Sequence, residues 1–316
     1  SYVFSLTSNL IHSGFDVKVI ANSAMKCFVL SKVCFIVRSY IDLSSFKPEI
    51  IHAHSNWYVL LPSALYKSIN NDTHLVFTFH TEIGKLKGIK KALFEYLLSK
   101  CDDVTFVSRD MMKKITGYYS INARKYVIYA GVSQKVASEN EVKEFKERHE
   151  LINREPVITF IGPLTWEKKV EGVELLIKSF PSVARTYPES VLLIVGDGQY
   201  RPQLEALVDK LNLTENVVFT GFLKNVFVPL SISDIYAHIS LMDGCPISLL
   251  EAMSCKKPII ATNIGGIPEI ITDNQNGYLV NPNEAEISEK IVELLHNEIK
   301  RNRFAKESVR VLNEKF

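Results

Sequence analysis

Short apolar runs recur along the chain, separated by longer segments in which apolar and polar positions mix. In the first half the runs are Val17–Ile20, Ile50–Ala53, Val76–Thr78, Val104–Val107 and Tyr126–Tyr129, each short enough for a buried strand. Ser5–His12, Trp57–Lys67 and Lys90–Lys100 lie between them and read as helices. A second series follows at Val157–Gly162, Val191–Gly196, Val217–Gly221, Ile235–Ile239, Pro258–Ala261 and Tyr278–Val280. Its intervening helices are predicted at Leu175–Arg185, Gln203–Leu211, Ile247–Cys255 and Ile287–Ile299. Apolar strands alternating with helices predict an α/β fold, a parallel sheet covered by helices.

Residues 134–155 (QKVASENEVKEFKERHELINRE) form the most polar long stretch in the middle of the chain and are read as the interdomain connection, with a short charged helix inside. With 316 residues, the chain exceeds the usual single-core length. We therefore expect two Rossmann-like lobes, residues 1–150 and 151–316, with a site in the cleft between them. The chain begins at Ser1, without Met and without an evident first strand, which reads as a fragment.

Composition adds constraints. At 47% hydrophobic and 23% charged residues, full cores are permitted and wholesale disorder is excluded. Five cysteines (Cys27, Cys34, Cys101, Cys245, Cys255) form no CxxC pair, so we expect reduced, buried thiols of a cytoplasmic protein, with Cys27 and Cys34 packed together on one helix face. The net charge of +2 conceals an asymmetry: residues 1–135 hold 17 Lys and Arg against 9 Asp and Glu, the remainder 20 against 26. A basic first half favours an anionic surface. Nucleic acid is not an expected partner, because no zinc-finger, helix-turn-helix or RNA-binding aromatic motif is present. No run is long and uncharged enough to span a bilayer; the greasiest, Cys27–Val37, contains Lys32. Lys85–Lys100 (KLKGIKKALFEYLLSK) is basic on one side and apolar through Leu86, Ile89, Leu93, Phe94 and Leu97. Such a segment either packs its apolar face on the sheet, the reading we favour, or lies on an anionic membrane.

The chemistry concentrates in Leu241–Val280 (LMDGCPISLLEAMSCKKPIIATNIGGIPEIITDNQNGYLV). Pro246 suits the first position of a helix over Ile247–Cys255, with Asp243 in the entering loop and Glu251 on the helix body. Two carboxylates converging on one pocket are what recognition of vicinal hydroxyls needs. Gly265 and Gly266 precede a predicted helix at Ile267–Ile271, where main-chain N–H groups and a helix N-terminus would receive an anion such as a diphosphate.

This segment resembles the family-4 retaining glycosyltransferases, whose signature is an acidic residue, seven intervening residues, then Glu, Ala and Met: here Asp243 and Glu251-Ala252-Met253. Gly265-Gly266-Ile267-Pro268-Glu269 matches as well. So do His52-Ala53-His54, Phe77-Thr78-Phe79-His80-Thr81, Tyr129-Ala130-Gly131-Val132 and Val195-Gly196-Asp197-Gly198, in the right order over nearly the whole chain. The resemblance implies a GT-B fold and transfer of a hexose from a UDP- or GDP-sugar, with retention and without a metal or other cofactor, to a lipid-linked or glycan acceptor. It implies a cytoplasmic enzyme, peripheral on the inner membrane face.

By residue, it implies that Glu251 binds the donor ribose and Asp243 the sugar hydroxyls. Gly162, Gly265 and Gly266 would border sugar and diphosphate, and Phe222 and Leu223 the base. Lys168 would neutralise the diphosphate with Lys169 beside it, the choice between the two left open. His80 would face the transferred sugar, and His54 the acceptor side. The chain departs from the family pattern at Asp243, usually Glu, and at Pro163, usually an arginine that contacts diphosphate. It also lacks the usual opening strand and most of the closing helix. Two rival readings are kept: a nucleotide-sugar epimerase of the same fold, and a non-catalytic nucleotide-binding subunit.

Three motifs carry secondary expectations. His52 and His54 are expected on opposite sides of their strand, and His80 at a strand end where cleft residues gather. Val195-Gly196-Asp197-Gly198 lacks the third glycine of a dinucleotide fingerprint and reads as a turn. Cys101-Asp102-Asp103 precedes a strand and needs no metal.

Overall fold

The computed structural model describes residues 2–21, 28–133 and 135–316. It divides into two compact units, Ser1–Ala130 and Gly131–Phe316. The division falls earlier than the expected boundary at 150/151, so the polar stretch 134–155 belongs to the second unit. Cys27 lies outside the described residues, and with it the expected Cys27–Cys34 packing.

The first unit runs α1 (Tyr2–His12), α2 (Phe28–Phe46), β1 (Ile50–His54), α3 (Trp57–Ile69), β2 (His74–Phe79), α4 (Gly88–Leu98), β3 (Asp103–Phe106), α5 (Arg109–Tyr118) and β4 (Arg124–Val127). Its four strands pair in parallel in the order β1-β2-β3-β4. Aromatic rings fill the core: Phe79 stacks on Phe106 at 5.2 Å, and Phe94 meets Phe77, Phe79 and Tyr119 edge-on. Each such buried side chain stabilises by roughly 1.5–3 kcal/mol. Val17–Ile20 is not a strand: it has no ladder partner among the described residues, and Lys18 is instead tied to Asp42 of α2 at 2.8 Å. Asp102 and Asp103 are engaged at the start of β3. Asp102 accepts from the Leu75 amide at 2.7 Å and pairs with Lys67, while Asp103 binds His74 and Arg124. Cys34 is exposed and Cys245 and Cys255 are half-buried, so among the described cysteines only Cys101 fits the expected buried thiol.

The second unit runs α6 (Glu139–Arg148), β5 (Val157–Ile161), α7 (Glu167–Thr186), β6 (Val191–Val195), α8 (Arg201–Lys210), β7 (Val217–Gly221), α9 (Phe227–Ile232), β8 (Ile235–His238), α10 (Ile247–Ser254), β9 (Ile259–Thr262), β10 (Tyr278–Val280), α11 (Glu284–His296) and α12 (Glu298–Lys315). Its six strands pair in parallel in the order β10-β9-β8-β5-β6-β7. β5 and β6 are buried at every position, because helices cover both faces. α7 buries Val170, Val173, Leu176, Ile177, Phe180 and Val183, a stripe at helical spacing. The expected charged helix in 134–155 is α6, which opens on a capping box between Ser138 and Glu141. Such a cap is worth about 1 kcal/mol.

Candidate functional site

In the second unit the strand order reverses between β5 and β8, and ligands of open α/β sheets bind outside the carboxyl ends of strands at such a reversal. β5 leads there into Gly162-Pro163, and β8 into the loop carrying Asp243. The start of α7 closes on this loop. Gly172 approaches β8 so tightly that a Cβ would stand 2.3 Å from the Ile239 carbonyl oxygen, and the Leu241 amide donates to Lys168 O at 3.2 Å. That contact brings Lys169 Nζ to 2.7 Å from Asp243 Oδ1. The other carboxylate oxygen lies 3.0 Å from His238 Nε2, and His238 Nδ1 is 3.1 Å from the Tyr236 hydroxyl. Burial works to raise the Asp243 pKa, but His238 and Lys169 outweigh it and hold the carboxyl well below its ordinary value. Burial raises the Tyr236 phenol, with both Asp243 and Glu251 near enough to push it further.

Gly265 folds over the same loop. It sits at φ +57°, and a Cβ there would meet Asp243 O at 2.0 Å, so only glycine fits. The Gly266 amide is spent inward on that carbonyl at 3.1 Å. The predicted helix at Ile267–Ile271 is instead a single 3-10 turn, Ile267–Glu269, after which Asn276 binds the chain, donating to Ile270 O at 3.1 Å and accepting from the Thr272 amide at 2.7 Å. It offers no helix N-terminus to an anion. Pro246 likewise stands just outside its helix, as the extended cap before Ile247. Glu251 is half-buried on α10; its carboxylate has no hydrogen-bond or ion-pair partner among the described residues, and burial raises its pKa. Phe222, after β7, is 76% exposed, with Leu223 half-buried beside it. Lys168 is turned away, bound by both oxygens of Glu171 at 2.9 Å. Of the two candidate lysines, Lys169 is therefore the one joined to Asp243.

Three histidines of the first unit, His52, His54 and His80, gather towards the carboxyl ends of β1 and β2. His54 Nδ1 lies 2.9 Å from His80 Nε2, and the His52 and His54 rings are 4.1 Å apart. His52 and His54 thus share one side of β1, not opposite sides, as the two-residue repeat of a strand requires. His52 Nε2 is 2.6 Å from Thr78 Oγ1. Burial, with His52 and His80 alongside, lowers His54 to about 3; burial also lowers His80 and, with His80, His52. Among the described residues no group of three or more His, Cys, Asp and Glu is placed to hold a metal ion.

Two family models cover the chain: "Glycosyl transferases group 1" over residues 141–310 and "Glycosyltransferase Family 4" over residues 28–135. The chain belongs to the glycosyl transferases group 1 family. It is 27% identical over 256 residues to the N-acetyl-alpha-D-glucosaminyl L-malate synthase of Bacillus anthracis, covering 79% of this chain and 66% of the synthase. The chain spans 57 to 66% of the first curated relatives it matches. Among solved structures, Anabaena HepE in complex with UDP-glucose has a TM-score of 0.78 at 19% identity, covering 99% of this chain and 85% of that one. Sucrose-phosphate synthase from Thermosynechococcus elongatus has a TM-score of 0.80 at 18% identity, covering 100% and 88%. Both units are Rossmann-like lobes of the GT-B type.

Within this glycosyltransferase fold, sequence reasoning missed His238 and Tyr236. A signal was present: two residues apart on a strand they share a face, at the strand end that runs into the Asp243 loop. They were passed over because β8 reads as a plain buried strand.

Proposed function

We propose that the protein is a retaining hexosyltransferase that takes a sugar from a UDP- or GDP-sugar and passes it to a lipid-linked or glycan acceptor. The observation that carries this reading is the convergence at the carboxyl ends of β5 and β8. Lys169 is held there by a buried carboxylate over which the Gly265 turn folds, and Glu251 on α10 acts with Asp243 on the Tyr236 phenol. Transfer leaves a nucleoside diphosphate, whose developing charge asks for fixed positive groups and main-chain donors. Lys169 and the Gly265 amide supply them, Glu251 receives the ribose hydroxyls, and Phe222 offers an exposed ring to the base. His80, neutral under its lowered pKa and set by His54, is the group assigned to the transferred sugar. In this proposal the N-terminal lobe is the acceptor side and the C-terminal lobe the donor side. The enzyme works at the cytoplasmic face of a membrane.

Pro163 supplies neither a side-chain charge nor an N–H, so Lys169 would carry the charge that the family's arginine usually shares. The same feature favours the second reading, a nucleotide-binding subunit without turnover. Calorimetric titration with UDP, GDP and ADP, each beside its sugar conjugates, separates these readings when followed by a turnover assay. The UDP-glucose complex of HepE makes UDP-sugars the first to try. We expect saturable binding of one nucleotide, weakened about tenfold or more by Glu251→Ala, as loss of a charged hydrogen-bond acceptor predicts. No binding by a folded sample would end the donor-site assignment. Binding without turnover would leave the subunit reading.

A further inference from the structure

We propose that His238, braced by Tyr236, is a positioning residue that acts through Asp243 to hold the Lys169 ammonium at the phosphate end of the donor site. The proposal rests on the nucleotide-sugar reading above and assigns a task to two residues that lie outside the family's signature.

The geometry runs as a chain of four groups: Tyr236 hydroxyl to His238 Nδ1 at 3.1 Å, His238 Nε2 to Asp243 Oδ2 at 3.0 Å, and Asp243 Oδ1 to Lys169 Nζ at 2.7 Å. An ionised carboxylate only accepts, so His238 Nε2 carries the proton that faces it. The Nδ1 of His238 lies against the Tyr236 hydroxyl, which burial keeps protonated. Each inner member is closed off from water: the side chains of His238 and Asp243 are 4% and 5% exposed, against 25% for Lys169. The chain thus begins in the core and ends at a partly open cation.

A lysine is a strongly hydrated point charge on a flexible stem and does not aim itself. Here its aim is set by one oxygen of Asp243, whose own orientation is set by His238 on the other. Two of the three ammonium N–H donors remain for an anion after the Asp243 bond is made. An aspartate is one methylene shorter than the glutamate usual at this point of the signature, and the inward tether to His238 is consistent with that shortness. With both oxygens engaged and little surface left, Asp243 is better placed to orient Lys169 than to meet a sugar hydroxyl directly.

The test is the ratio of UDP to uridine affinity, which reads the diphosphate contact separately from the rest of the site. Lys169→Met is expected to lower the ratio about tenfold, as loss of a charge-assisted contact does, with uridine binding unchanged. His238→Ala should lower it in the same direction, and His238→Gln, whose Nε2 keeps the donor towards Asp243, should restore most of it. Tyr236→Phe preserves the packing and should lower the ratio by a smaller factor; it carries the test should His238→Ala fail to fold. In the Lys169→Met background His238→Ala should add nothing, because both act through one cation. An unchanged ratio in the His238 and Tyr236 variants would overturn the proposal. So would an equal loss of uridine and UDP, which marks a merely structural role, or additive losses in the double variant. If wild-type protein binds no nucleoside diphosphate, the donor-site reading falls and the proposal with it. If UDP binds and the ratio ignores His238, the positioning role alone falls.

Discussion

His54 is lowered to about 3 by burial and by the two neighbouring rings, whereas an unfolded histidine titrates near 6.5. Its folded value is depressed, so the unfolded chain binds the proton more readily between those limits. The stability tied to the neutral ring is complete above about pH 6.5 and is lost as the pH falls towards the folded value. The urea midpoint should therefore drop between pH 7.5 and pH 5, and drop less in His54→Asn. An imidazole resonance of His54 that titrated near 6.5 would contradict this account. The histidines were legible as candidates because they flank short strands, but their shared side was misread. The two-residue period was available in the sequence; it was applied in the wrong sense.

At the scale of elements, α4 is the helix whose surroundings a pattern of lysines and apolar residues could not settle. It buries Phe94, Leu97 and Leu98 against its unit, yet leaves Ile89 88%, Leu93 47% and Tyr96 55% exposed. These three residues follow helical spacing, with Lys90 and Lys91 beside them. The packing of the apolar face on the sheet is thus the observed arrangement, with Phe94 against Phe77 and Phe79 of β2, and the outer stripe is the surface the proposed membrane contact would use. Vesicles of phosphatidylserine and phosphatidylcholine should retain the protein at low salt and release it at high salt, and Ile89→Asp should weaken retention. Equal retention on neutral vesicles would remove the proposed contact. Parallel strands were the most legible elements, since burial on both faces leaves them as unbroken apolar runs. Val17–Ile20 shows the limit of that signal, because an apolar run becomes a strand only beside a partner. The turn after Gly266 shows another: its apolar pattern suits a helix, but the Asn276 side chain, distant in the pattern, takes up Ile270 O and the Thr272 amide just beyond it.

For the whole molecule, the two-lobed order of strands and the signature over Asp243 to Glu269 could be read directly. The Lys169–Asp243–His238 chain could not, because it joins the start of α7 to the end of β8 across the sheet. The close approach at Gly172 and the Leu241–Lys168 main-chain bond make it. The lack of a hydrogen-bond or ion-pair partner for Glu251 among the described residues has a consequence for the protein's exchange with its solvent. Burial raises its affinity for a proton, whereas hydroxyls donating to it on ligand binding would favour the ionised form. Loading of nucleotide should then expel protons in the range where the free carboxyl titrates, and affinity should climb with pH through that range. The heat of binding would differ between buffers of unlike ionisation enthalpy, and Glu251→Gln should abolish the difference. A heat independent of buffer would mean that the carboxylate is already ionised in the empty site, leaving the molecule to load its ligand without exchanging a proton.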